Sequence, residues 1–176
     1  MSFVQQVEES EAGDRLAPVY QKIRNGFGFV PNYFKALGAR PELILTHLDL
    51  GERVTADGAL PRAVKERLGI VVSGINASSY CVAVHMEILR KLGVEKSVGR
   101  TLAVNYPKAP VDEREQALYR FGDKLTTRPG DVGQADVDAL KHAGWDDAAV
   151  VETVLAVAYF NFINRVSLGL GLMADF

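Results

Sequence analysis

One cysteine, Cys81, stands four residues before His85 in the stretch NASSYCVAVH, residues 76–85. In a helix, residues four apart share a face, so this thiol and imidazole can look into one pocket. Cys81 would fall in the first turn of a helix starting near Ser78, beside free backbone N–H groups and the positive end of the helix dipole. That end is worth roughly 0.3–1 kcal/mol, under about one pKa unit. A free cysteine has a pKa of about 8.5. The dipole alone therefore leaves the thiol mostly protonated, and a reactive Cys81 needs His85 as proton acceptor or imidazolium partner. A histidine base is usually oriented by a third group. Glu66, on the preceding helix, can reach the pair if the two helices form an antiparallel hairpin around GINAS. The plain alternative is a buried core cysteine, a histidine that happens to follow, and Glu66 as an exposed charge beside Arg62 and Arg67.

The elements that must position these groups read as helices. SEAGDRLAPVYQKIRN gives a first helix, ending near Gly26 and Gly28. PNYFKALGA is a short second. PELILTHLDLGERVTADG opens on Pro41, a favoured first helical residue. LPRAVKERLGIVVSGIN opens on Pro61 and carries Val64, Leu68, Val71 and Ile75 at helical spacing. SSYCVAVHMEILRKLG follows, capped by the Ser78 or Ser79 hydroxyl and stopped by Gly93. VEKSVGRTLAVNY, VDEREQALYRFGDKLTTRPG, QADVDALKHAG and DDAAVVETVLAVAYFNFINRVSLGL complete the set. The β-branched tracts GIVVSGI and VVETVLAV lack strand-like flanks. The expected fold is an all-α bundle of about eight or nine helices, one domain over residues 1–176.

With 176 residues, the chain can bury roughly 70% of its unfolded surface. A net charge of -2 and no basic patch argue against nucleic acid. The most apolar tract is interrupted by Asn161, Asn164 and Arg165, so no membrane span is expected; these residues should bond across helices, with Arg165 paired to an acidic side chain. A lone cysteine, an acidic start and no apolar leader fit the cytoplasm. His47 and His142 have no metal-ligand spacing with His85, and a Cys81/His85/Glu66 metal site is weakly supported. NGFGFVPN reads as a turn in which Phe27 and Phe29 staple neighbouring helices. No phosphate loop, dinucleotide fingerprint or nucleophile elbow appears, so no cofactor is expected.

LPRAVKERLGIVVSGINASSYCVAVHMEILRKLG resembles the core of the carboxymuconolactone decarboxylase family, most closely its alkyl hydroperoxidase D-like, peroxidase-related branch. That pattern is a glutamate on one helix, then C-x-x-C-x-x-x-H opening the next. FVPNYFKALGARPEL and YFNFINRVSLGLGL resemble the flanks, so the likeness runs from about residue 28 to the C-terminus. It implies an all-helical oligomer, a trimer or hexamer. It implies Cys81 as the thiol that attacks a hydroperoxide, His85 and Glu66 as a proton relay, and an external thiol or dithiol reductant. Ser78 occupies the place of the resolving cysteine and cannot form a disulfide. Either a one-cysteine cycle runs through sulfenic acid, or the redox chemistry is lost. Tyr80 stands where some relatives place a further relay histidine, as a hydrogen-bond donor or a packing residue. The rival expectations are a lyase acting on a small lactone or acid through His85, and a helical oligomer with a vestigial site.

Overall fold

The computed structural model describes residues 2–175. Nine α-helices follow in order among them: α1 (Ala17–Phe27), α2 (Asn32–Ala36), α3 (Pro41–Thr55), α4 (Arg62–Ile75), α5 (Ser79–Lys91), α6 (Lys96–Asn105), α7 (Glu113–Thr127), α8 (Gln134–His142) and α9 (Asp147–Gly169). Three short 3-10 helices join them, and no strand occurs among the described residues. The all-α expectation is met, and the β-branched tracts of α4 and α9 are helical.

Helix boundaries follow local chemistry. Pro41 opens α3 and Pro61 immediately precedes α4, where a missing N–H costs nothing. Asp112 and Asp146 cap α7 and α9, each accepting a backbone N–H at 2.8 Å. Gly28 and Gly93 sit at positive φ just past α1 and α5. The first helix begins at Ala17, not Ser10. Glu9–Glu11 form a separate 3-10 turn, and Pro18 fixes the first turn of α1 instead.

α4 is the centre of the bundle and packs against α5, α6, α7 and α9. It buries Val64, Leu68, Ile70, Val71 and Val72, and Lys65 and Glu66 with them, as a central helix does. Two apolar cores result. One joins α4, α7 and α9 through Leu68, Leu118, Tyr119, Val157 and Phe160. The other joins α1, α2 and α3 to the start of α5 through Ile23, Tyr33, Ile44, Tyr80 and Cys81. Phe27 meets Phe34 edge-on at 5.8 Å, as expected of a staple, although Phe27 and Phe29 are both exposed.

α9 has the length and apolarity of a membrane span. Here its polar residues tie it to the bundle. Asn164 Nδ2 donates to Ser73 Oγ at 3.0 Å, and Asn76 Nδ2 donates to Asn161 and Asn164 at 3.0 and 2.9 Å. Arg165 corrects an expectation. It is exposed and donates to the Asn161 carbonyl and side chain one turn back, with no acidic partner among the described residues.

α4 and α6 touch backbone to backbone at Gly74. A Cβ there would stand 2.2 Å from the Ala103 carbonyl oxygen. Main chain cannot yield as a side chain can. Gly74→Ala is expected to cost about 3 kcal/mol, the upper end of ordinary overpacking. Thermal unfolding should register it as a drop of roughly 6–12 °C for a chain of this size. An unchanged midpoint would show that the helices separate freely.

Candidate active site

The turn between α4 and α5 places the cysteine. The Ser78 N–H reaches back to the Ser73 carbonyl at 2.9 Å and the Ala77 N–H to Gly74 at 3.0 Å. This is a Schellman closure, with Ala77 in the left-handed position at φ 55 that glycine usually fills. A non-glycine residue there costs roughly 1–2 kcal/mol. Ser78 is therefore the N-cap residue of α5, and Cys81 is the third residue of the helix. The expected hydroxyl cap is absent. The Ser78 side chain makes no cap bond; it turns inward, is 1% exposed, and its Oγ has no hydrogen-bond partner.

Glu66 and His85 meet as the hairpin geometry predicts. Glu66 Oε2 lies 2.7 Å from His85 Nδ1, with both residues buried. Glu66 is 1% exposed, which rules out the reading of it as a surface charge. Arg62 Nε stands 3.5 Å from the other carboxylate oxygen. An ionised carboxylate only accepts, so the bond assigns a proton to Nδ1 and leaves Nε2 as the basic nitrogen. Nε2 lies over Gly69: a Cβ at that residue would be 2.9 Å from it. Phe160 packs edge-on against the opposite part of the ring, at 4.9 Å between centroids. The imidazole is thus held by a charge, a ring and a missing side chain.

Cys81 and His85 lie one turn apart among the buried residues of α5, but no hydrogen bond joins them. Cys81 Sγ pairs instead with Ser167 Oγ of α9 at 3.4 Å. The thiol is 2% exposed. Two surface concavities of about 360 and 310 Å³ lie beside Arg15 and Gly38 and around Gly74 and Ala103. Tyr80 is tied to the structure. Its hydroxyl donates to Asp175 at 2.9 Å and accepts the Tyr33 N–H at 3.3 Å, while Asp175 also holds the Asn32 N–H at 2.7 Å. Tyr80 therefore latches the C-terminal tail over α2.

Sequence reasoning missed four residues of this region: Ser167 at the thiol, Gly69 under the His85 ring, Tyr33 in the apolar core that holds Cys81, and Tyr159 over Gly51. Tyr33 Oη is 3.1 Å from His47 Nδ1. Burial, then the nearby Tyr159 and Cys81 groups, push the Tyr33 phenol far above its ordinary range. Burial, then Glu66 and Cys81, push Tyr159 up to about 12. Both phenols therefore stay protonated at neutral pH. No local spacing signals these residues, because they arrive on helices far away in sequence.

The all-helical fold is the one seen in AhpD-like structures. A peroxidase-related protein of alkylhydroperoxidase AhpD core type from Ralstonia eutropha JMP134 has the same fold, with 27% identity, a TM-score of 0.90, and coverage of 99% of this chain and 92% of its own. The debrominase Bmp8, solved with 2,3,4-tribromopyrrole, shares the fold at 21% identity and a TM-score of 0.82, covering 99% of this chain and 92% of its own. The Bacillus subtilis (strain 168) protein YdfG is 25% identical over 132 residues, 74% of this chain and 88% of that protein. The model of the carboxymuconolactone decarboxylase family matches residues 41–104, a stretch that includes Glu66, Cys81 and His85.

Proposed function

We propose that the protein reduces small hydroperoxides with Cys81 as the attacking thiol. The observation that carries the reading is the buried 2.7 Å bond between Glu66 and His85, one helical turn from a thiol in the first turn of α5. His85 Nε2 takes the thiol proton, and Glu66 balances the imidazolium. The thiolate then bonds to the distal peroxide oxygen as the O–O bond breaks. The products are Cys81 sulfenic acid and an alcohol, or water from hydrogen peroxide. An external thiol displaces water to give a mixed disulfide, and a second thiol releases Cys81. The first step needs the thiol to leave Ser167 for the substrate.

Single-turnover reaction of the reduced protein with tert-butyl hydroperoxide and with hydrogen peroxide tests this, with sulfenic acid trapped at Cys81. Stoichiometric oxidation faster than that of a free thiol, lost in Cys81→Ser and His85→Ala, is expected. A rate equal to that of a free thiol overturns the reading.

The Cys81–Ser167 bond favours a second reading, in which His85 and Glu66 do acid–base work on a small lactone or acid and the thiol is a bystander. Cys81→Ser separates the two: a lyase keeps its activity and a peroxidase loses it.

Ser78 makes a further expectation concrete. It is the N-cap and Cys81 the third helical residue, the spacing at which two cysteines of a C-x-x-C motif pair. Ser78→Cys is expected to convert peroxide oxidation into an internal disulfide, seen as a 2 Da mass loss (about two hydrogens) and dithiothreitol-reversible turnover. Persistent sulfenic acid in that variant would show the two side chains cannot meet.

The family resemblance also implies self-association. α9 supports it with an exposed apolar stripe of Val151, Val154, Leu155, Phe162 and Leu168. Sedimentation of the intact chain distinguishes an oligomer from a monomer.

A further inference from the structure

Buried hydroxyls find hydrogen-bond partners, yet α5 begins on one that has none. Ser78 is 1% exposed, and its Oγ bonds neither the Cys81 sulfur nor any other group. It is the only buried side-chain nitrogen or oxygen without a partner among the described residues.

Four hydrogen bonds fix where that hydroxyl lies. The Val82 N–H donates to the Ser78 carbonyl at 3.0 Å, which sets Ser78 as the N-cap and Cys81 as the third helical residue. Residues three apart at a helix start are neighbours, and both of these side chains are turned away from solvent. α9 backs the turn at two points. Asn164 Nδ2 donates to Ser73 Oγ at 3.0 Å, and three residues on Ser167 Oγ pairs with Cys81 Sγ at 3.4 Å. The Ser78 N–H donates to the Ser73 carbonyl at 2.9 Å, so Ser78 stands between those two contacts. An N-cap hydroxyl ordinarily accepts a first-turn N–H, and this one does not. The start of α5 therefore keeps its uncapped N–H groups and the positive end of its dipole beside the sulfur, where both favour negative charge.

We infer that Ser78, with Ser167, holds the oxygen that Cys81 receives, and that this pair of hydroxyls makes the Cys81 sulfenic acid a persistent state of the site. The inference rests on the hydroperoxide reading given above. A hydroxyl left unpaired in the buried reduced site is unfavourable, and an oxygen on Sγ supplies its missing partner. A cysteine at residue 78 attacks the sulfur; a serine there can only donate to the oxygen. Two reactions then compete for the sulfenic acid. In one, the sulfenate sulfur gives an electron pair to the distal oxygen of a second hydroperoxide, the O–O bond breaks, and sulfinate and an alcohol result. A hydrogen bond on the sulfenate oxygen draws charge from the sulfur and slows this step. In the other, an external thiol bonds to the sulfur, the S–O bond breaks, and the oxygen leaves as water with the proton the thiol loses. The same hydrogen bond eases that departure. Ser78 thus opposes the damaging reaction and assists the productive one.

The test follows both reactions on the full chain. Cys81 sulfenic acid is formed with equimolar tert-butyl hydroperoxide and divided between excess tert-butyl hydroperoxide and 2-mercaptoethanol. Mass spectrometry follows sulfinic acid in one arm and mixed disulfide in the other. S78A is expected to form sulfinic acid about tenfold faster and mixed disulfide about tenfold slower, the scale of losing one hydrogen bond to a charged oxygen. Opposed signs separate the assignment from a loosened site, which admits both reagents faster. Reduced S78A should melt no lower than the reduced wild type, because the hydroxyl it lacks has no partner there. S167A should move the two rates in the same opposed senses, and it carries the test if S78A does not fold. Rates that rise together, one that moves alone, or two that stay unchanged overturn the assignment of Ser78 and leave Cys81 as the peroxide thiol. Opposed shifts in a protein whose first oxidation is no faster than that of a free thiol uphold Ser78 and overturn the hydroperoxide reading.

Discussion

Glu66→Gln is expected to slow single-turnover oxidation of Cys81 by about a hundredfold or more, within the range of a general acid–base contribution. The substitution keeps volume and shape at a site that is 1% exposed, so the fold should persist. What it removes is charge. His85 Nδ1 now donates to a carboxylate at 2.7 Å. That carboxylate fixes the tautomer and stabilises the imidazolium formed when Nε2 takes the thiol proton. A glutamine can accept the Nδ1 proton but cannot balance the cation, and burial makes an unbalanced cation costly. Arg62, 3.5 Å from the other oxygen, would then add repulsion that Glu66 now neutralises. Stopped-flow rates across pH, with circular dichroism to check folding, measure the loss. A rate within twofold of wild type would remove Glu66 and His85 from the proton path and move attention to Ser167, the residue the thiol touches in the resting structure.

Gly69→Ala should be nearly as damaging to activity while leaving the protein folded. A methyl group at that residue would stand 2.8 Å from His85 Cε1, 2.9 Å from Nε2 and 3.1 Å from Cδ2. The imidazole cannot retreat easily, because Phe160 packs on it and Glu66 tethers Nδ1. The ring must tilt, and tilting breaks the 2.7 Å bond or turns Nε2 away from the thiol. Overpacking costs about 1–3 kcal/mol. Alanine returns about 1 kcal/mol of helix propensity over glycine. The expected net loss is about 0–2 kcal/mol, a fall in melting temperature of roughly 0–8 °C for a chain of this length. Oxidation of Cys81 should fall by about fiftyfold or more, as for a misplaced general base. A collapse in stability with the specific rate intact would mean that α4 moves and the imidazole does not.

Much of the fold was legible because proline, glycine and helical spacing punctuate the chain. Pro41, Pro61 and Gly93 mark ends that the structure keeps. The start of α1 was misplaced because SEAGD carries a plausible cap and acidic first turn, yet Gly13 and Pro18 shift the helix start to Ala17. The Glu66–His85 contact was readable from two helices joined by a three-residue turn, since an antiparallel pair forces facing positions together. Ser167 and Tyr159 were not readable. Ser167 meets Cys81, and Tyr159 meets Gly51, only because α9 crosses the other helices, and crossing is settled by packing of Val157 and Phe160 rather than by any motif. His47 was noticed and weighed only for metal binding; its partner Tyr33 sits fourteen residues earlier, on another helix. The hydroxyl cap expected of Ser78 failed because the tight Ala77 turn points that side chain inward.

The residues around Cys81 come from two sources. Glu66, Gly69 and His85 lie within the family match at residues 41–104, as does the thiol. Tyr33, Tyr159 and Ser167 lie outside that match. The hairpin and the residues around it therefore come from separate stretches of chain, and a substitution in α2 or α9 can alter the surroundings of the thiol without touching the Glu66–His85 bond.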